Sequence, residues 1–178
     1  MQIYELKVAG ITRQLVKCPL NEKIDIAGFI MLGDVELTVA CAEELLKKSP
    51  KFDVIFTAEA KSIPLAYEMA RQSGKPYVVA RKSKKLYMYD TIETTVRSIT
   101  TDNIQKLYLS GAEIEIVKGK NVLIVDDVVS LGDSLRAMEE LVQSAGGNIV
   151  GKAFVLAEDK AAERDDIIFL EKLPLFFK

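Results

Sequence analysis

Three short runs of this chain, DVIF at 53–56, YVVA at 77–80 and VLIV at 122–125, are apolar at successive positions and do not alternate. A strand with one wet face alternates. Continuous apolarity marks a strand covered on both faces, as in a parallel sheet between helices. A fourth run, IVGKAFVL at 149–156, is also strand-like. Helical patterns separate them. DVELTVACAEELLKK sets Val35, Val39, Ala42 and Leu46 on one stripe, with Asp34 as N-cap and lysines in the last turn, where they favour the dipole. SIPLAYEMARQSGKP carries Pro64 near its first turn and stops at Gly74, before Pro76. SLRAMEELVQSAGG has Leu135, Met138, Leu141 and Val142 on its apolar face and closes on Gly146 and Gly147. Strand and helix alternate, so the predicted fold is α/β, a doubly wound and mainly parallel sheet with right-handed crossovers.

With 178 residues, 49% of them hydrophobic, the chain is long enough for one buried core and short for two. We expect a single domain, 1–178, with its core at about 34–156. The ends, about 1–33 and 157–178, are expected to form a small hood. Residues 81–117 break the alternation and read as an excursion, a hairpin with strand-like stretches at Thr94–Ile99 and Lys106–Leu109. The net charge of −2, with both signs interspersed, argues against a partner such as nucleic acid or an anionic membrane. There is no histidine, which removes the commonest general base and transition-metal ligand. Cys18 and Cys41 lack CxxC spacing and read as reduced and packed. The N-terminus has no signal-peptide pattern and no run approaches 18 apolar residues, so a cytoplasmic location is expected.

The stretch VLIVDDVVSLGDS, 122–134, ends a strand with Asp126 and Asp127 and then turns through a short glycine-containing loop into a helix expected from Ser134. In open α/β sheets, ligands bind at the carboxyl ends of strands. Carboxylates there accept hydrogen bonds from a vicinal diol or help position magnesium, and the loop's N–H groups with the helix dipole cradle a phosphate. A diol site beside a phosphate site describes a ribose phosphate. The bland alternative makes both acids turn and capping residues.

VLIVDDVVSLGDSL resembles the signature by which purine phosphoribosyltransferases bind phosphoribosyl pyrophosphate (PRPP): apolar residues, DD, two apolar residues, a small residue, then TGGT or TGGS. FDVIFTAEAKSIPLAYEMA is similar to that family's pyrophosphate loop and following helix, YVVARKSKK to its basic strand end, and RSITTDNIQKLYLS to the lid of xanthine-type enzymes and of the purine-operon repressor's effector domain. The resemblance spans about 15–170. It implies that Asp126 and Asp127 hold the ribose hydroxyls as the catalytic acids, and that Ser130, Leu131, Gly132, Asp133 and Ser134 wrap the 5′-phosphate. It further implies that Glu59, Ala60, Lys61 and Ser62 form the pyrophosphate loop, and that Arg81, Lys82 and Lys85 supply cations to the leaving group. The same basics read without it are a solvated charge run. Val128 is the candidate to stack on the base, or an ordinary core valine. The implied reaction joins PRPP to a purine base, adenine first and xanthine next, with release of pyrophosphate and with magnesium as cofactor. No residue is assigned as a direct metal ligand or general base. Shielding a reactive cation from water would make about 86–105 a lid. Relatives of this kind are usually homodimers.

Two positions depart from the signature: Leu131 stands where threonine is usual and Asp133 where glycine is usual. Losing the hydroxyl costs about 0.5–1.5 kcal/mol. A carboxylate about 4 Å from the phosphate, at an effective dielectric near 20, would cost about 4 kcal/mol, roughly a thousandfold in affinity. The expectation is therefore that Asp133 turns outward or caps the following helix. The alternative function is a non-catalytic PRPP-sensing or nucleotide-binding protein on the same fold. Residues 1–50 are too short, and on balance too acidic, to add a DNA-binding winged helix to it.

Overall fold

The computed structural model describes residues 2–97 and 104–178. Strands β1 (Ile3–Val8), β2 (Ile11–Pro19) and β3 (Ile24–Ala27) open the chain, followed by α1 (Val35–Lys48), β4 (Val54–Ala58), α2 (Ile63–Ser73) and β5 (Tyr77–Ala80). A pair, β6 (Ile92–Arg97) and β7 (Ile104–Leu109), leads to α3 (Gly111–Val117), β8 (Asn121–Val129), α4 (Asp133–Ser144) and β9 (Asn148–Glu158). A 3-10 turn at Asp159–Glu163 precedes β10 (Ile168–Leu173) and β11 (Phe176–Phe177).

The central sheet runs β10-β9-β8-β4-β5, and every neighbouring pair is parallel. The unbroken apolar runs have their explanation in its two faces. Val122 and Ile124 of β8, with Val54 and Phe56 of β4, pack with Leu135, Met138 and Leu141 of α4. Leu123, Val125 and Ile55 belong instead to the cluster of α1 and α2, with Leu37, Cys41, Leu65 and Met69. Each such side chain withdrawn from water contributes about 1.5–3 kcal/mol, so neither face tolerates polar alternation.

The helix signals hold for α2 and α4. Pro lies at the start of α2 and Gly74 ends it with φ 69°. The expected face of α4 is buried. In α1 the expected stripe is rotated. Its buried residues are Leu37, Thr38, Cys41, Ala42 and Leu45, whereas Val35 is 74% exposed and Val39 is also exposed. Both stripes satisfy helical spacing, and the one that meets Ile55 and Leu123 is buried. Val35, Val39 and Tyr67 instead flank a cleft between α1 and α2.

The two chain ends meet in a second sheet, β1-β2-β3-β11, where Phe176 pairs with Asp25 and Phe177 with Ile24. Arg13 of β2 ties this sheet to α1, donating to the Asp34 carboxylate at 2.7 and 3.0 Å, while Asp34 caps the helix through the Leu37 N–H at 3.1 Å. Part of the stretch assigned to the hood lies elsewhere, because β10 is an edge strand of the central sheet. The excursion contains the antiparallel pair β6–β7. Its foot is embedded: Leu107 and Leu109 are core residues, and Thr94 donates to Glu140 of α4. Ser98 and Ile99 of the expected strand, and the part of the lid at 98–103, lie outside the described residues.

Candidate active site at the carboxyl edge of the sheet

Parallel strands deliver their following loops to one edge, and here four loops converge. The register pairs Ala58 with Ala80 at the ends of β4 and β5. Segments 59–62, 81–85, 130–132 and 159–163 therefore leave the sheet on the same side. The acids are not at the strand's end, however, because β8 continues to Val129. Asp127 is 4% exposed. Its Oδ1 accepts the Val128 N–H at 3.0 Å. Its Oδ2 has no hydrogen-bond partner among the described residues and faces the Lys61 ammonium at 3.4 Å. Asp126 accepts the Asp127 N–H at 2.9 Å. Burial, then the charge of Asp127, pushes its carboxyl well above the ordinary carboxylate range. A buried acceptor with nothing to accept from is costly, typically 1–3 kcal/mol or more for a charge, and a ligand hydroxyl would satisfy it.

Just past the end of the neighbouring strand β4, Glu59 clasps two loops together. Its carboxylate accepts from Arg81 Nη1 at 2.8 Å and from the Lys82 N–H at 2.8 Å. Although burial works the other way, those donors hold the Glu59 carboxyl below its usual range. The Glu59–Ala60 peptide is cis. Ser62 is buried and shares a hydrogen bond with Thr57 at 2.8 Å. Arg81 is held by backbone as well, exchanging both hydrogen bonds with Tyr108 of β7 at 2.9 and 2.8 Å. Lys82 and Lys85 share the loop but are exposed, and the Lys85 ammonium bonds Ser83. Thus Lys61 is paired with Asp127 and Arg81 with Glu59, while the Lys82 and Lys85 ammonium groups meet no carboxylate among the described residues.

Residues 130–134, expected to wrap a phosphate, run from the end of β8 into the first turn of α4, with one correction to where that helix starts. Gly132, with φ 87°, is the N-cap of α4, and Asp133 is the first helical residue, so the helix starts one position earlier than expected. Asp133 neither caps the helix nor turns out to solvent. Its side chain is 13% exposed and lies 4.0 Å from Arg136. The reason is geometric: the left-handed glycine makes the turn itself, which puts Asp133 in helical register, one position too late to cap. A carboxylate in a first turn is still favourable for the dipole. Leu131 is 62% exposed, and Ser130 and Ser134 are exposed. Val128 is half-buried against the cluster containing Leu156 and Leu173.

Sequence reading missed Thr57, the Glu59–Arg81 clasp and Arg164, whose Nη1 lies 3.1 Å from where a Cβ on Gly132 would stand. Only Thr57, inside an otherwise apolar strand, left a local signal. Among the described residues no group of three or more carboxylates or cysteines is disposed to hold a metal. No helix among them is long and apolar enough to cross a membrane.

The family model described as phosphoribosyl transferase domain matches residues 37–173. A xanthine phosphoribosyltransferase of Exiguobacterium is 32% identical over 124 residues, 66% of this chain and 63% of that protein. The purine biosynthesis transcriptional repressor of Bacillus subtilis is 31% identical over 114 residues, 64% of this chain and 39% of the repressor. The chain thus spans less than two thirds of the length of these curated relatives. Among solved structures, the adenine phosphoribosyltransferase of Thermoanaerobacter pseudethanolicus superposes with a TM-score of 0.73 at 25% identity, covering 89% of this chain and 95% of that one.

Proposed function

The chain belongs to the phosphoribosyltransferase family, and from that premise we propose that it transfers the phosphoribosyl group of PRPP to a purine base, releasing pyrophosphate. The observation that carries the proposal is the buried Asp127 oxygen that has no hydrogen bond among the described residues, faced by Lys61 and carried on the strand that leads into a helix terminus no side chain caps. Asp126 and Asp127 accept the ribose hydroxyls, and the backbone of 130–134 holds the 5′-phosphate. Lys61 and Arg81 neutralise the departing pyrophosphate, with Glu59 fixing the direction of the guanidinium. Lys82 and Lys85 reach the same anion from the loop beyond. Val128 lies under the base. The donor set suits magnesium that arrives with the substrate: one or two carboxylates plus phosphate oxygens. When bound, the ion would add positive charge to the leaving group.

Adenine is the first candidate base and xanthine the second, supported by the likeness to the adenine enzyme's structure and the xanthine enzyme's sequence. Hood residues would read the base. A lid from the 86–105 stretch, a cytoplasmic setting and a homodimer complete the proposal. The exposed apolar face of Val35, Val39 and Tyr67 supports the dimer, and sedimentation finding only monomer at micromolar concentration would remove it. The deciding assay is pyrophosphate release from PRPP and magnesium against adenine, guanine, hypoxanthine, xanthine, uracil and orotate. Release with one purine, abolished in Asp126→Asn plus Asp127→Asn, is expected.

Leu131 and Asp133, together with the likeness to a repressor, favour a second reading, a protein that senses PRPP without turnover. It predicts PRPP binding with silence across the panel.

A further inference from the structure

Arg164 follows the 3-10 turn after β9, and no role has been given to it individually above. Its guanidinium is fixed on one edge: Nε donates to Asp166 Oδ1 at 2.8 Å and Nη2 to Asp166 Oδ2 at 2.7 Å. Asp166 is held in turn by Lys152 at 2.5 Å, and Lys152 reaches Glu139 of α4 at 3.0 Å. A bidentate pair fixes the plane of the guanidinium as well as its place. The remaining nitrogen, Nη1, has no hydrogen-bond partner among the described residues and lies beside Gly132, 3.1 Å from where a Cβ there would stand. The Arg164 side chain is one third exposed.

Gly132 begins the turn into α4, where the first N–H groups lack both intrahelical partners and a side-chain cap. Asp133 introduces a negative charge at that place. The cluster of Lys152, Glu139, Asp166 and Arg164 is neutral in sum but polar in arrangement: both acids lie behind, and the unpaired cationic edge faces the loop.

We propose that Arg164 is a direct ligand of the anion held by residues 130–134, the phosphate of a ribose 5-phosphate, and that its charge offsets Asp133 there. This deepens the phosphoribosyl reading and rests on it. Asp166 is a positioning residue for the guanidinium.

The test is titration calorimetry of the full chain with ribose 5-phosphate and, separately, with inorganic pyrophosphate. Arg164→Met is expected to weaken ribose 5-phosphate about tenfold to a hundredfold, the range for losing a hydrogen bond to a charged group, and to leave pyrophosphate binding within about twofold. Arg164→Lys, which keeps a charge for Asp166 but has no second edge to aim, is expected to lose a similar factor, and it covers the case in which the methionine variant folds poorly. Ribose 5-phosphate binding that is unchanged in the variants but lost in Asp127→Asn leaves the cradle standing and overturns the role of Arg164. Equal weakening of both ligands also overturns it, as a general structural effect. A wild-type protein that does not bind ribose 5-phosphate overturns the cradle and Arg164 together.

Discussion

Replacing Asp127 by asparagine is expected to make the free protein more stable and its PRPP complex weaker. The carboxylate is 4% exposed, and one oxygen has no hydrogen bond. The nearest countercharge, Lys61, is 3.4 Å away with its side chain 56% exposed, so the pair returns less than about 1 kcal/mol. An unsatisfied buried acceptor costs roughly 1–3 kcal/mol, and more when charged. Asparagine keeps the Oδ1 that accepts the Val128 N–H and replaces a buried charge with a neutral amide that is cheaper to desolvate. The net gain is about 1 kcal/mol, or roughly 2–4 °C in Tm for a chain of this size. In the complex, the lost hydrogen bond between carboxylate and ribose hydroxyl costs about 1.5–3 kcal/mol, tenfold to a hundredfold in affinity. Thermal melts without ligand and calorimetry with PRPP and magnesium measure the two halves independently. A fall of more than about 3 °C in the free protein, with PRPP affinity unchanged, would show that Asp127 braces the turn after β8 and would refute its assignment to a ligand.

Asp126→Asn carries a pH signature. Burial and the neighbouring Asp127 raise the folded-state pKa of Asp126, so the folded state binds the extra proton and stability declines as pH climbs from about 3.9 through the raised value. The asparagine variant should lose that decline, and melting curves with the same pH slope in both proteins would contradict it. Asp34→Ala removes the α1 cap at a cost of about 1 kcal/mol. Hydrogen bonds from Arg13 hold the Asp34 carboxyl below its ordinary value against its burial. Its contribution is therefore present above the unfolded pKa of about 3.9 and lost as pH falls through the lower folded value, so urea midpoints of wild type and variant should converge in acid. Gly147→Ala puts a methyl 2.7 Å from Val117 Cγ1, 2.9 Å from Val142 Cγ1 and 3.0 Å from Val122 Cγ2. Overpacking of that kind costs about 1–3 kcal/mol, and an unchanged denaturant midpoint would rule it out.

What the sequence disclosed was local. Val122 to Val125 are apolar in succession because odd and even positions meet different helices, and that pattern is readable without coordinates. The phase of α1 was not, since the stripes of Val35–Val39 and Leu37–Cys41 differ only in which neighbour they meet. Helix α3 was overlooked although Ser110 and Glu113 form a capping box with the right spacing; seven residues give too little periodicity to stand out. At the site, the acids, the glycine turn and the basic strand end were legible as chemistry, while their partners were not. Glu59 with Arg81, and Arg164 with Gly132, join positions 22 and 32 residues apart, and no residue spacing encodes such a meeting. Asp133 was misjudged because a left-handed glycine displaced the cap by one position.

The reciprocal hydrogen bonds between Arg81 and Tyr108 make the root of the hairpin a fulcrum. With Leu107 and Leu109 set in the core, the amide protons of Arg81 and Tyr108 should exchange with solvent together, and only when that core opens. Substitutions farther along β6 and β7 would then leave that root in place. The guanidinium could stay in position through an evolutionary history that rewrote everything beyond it.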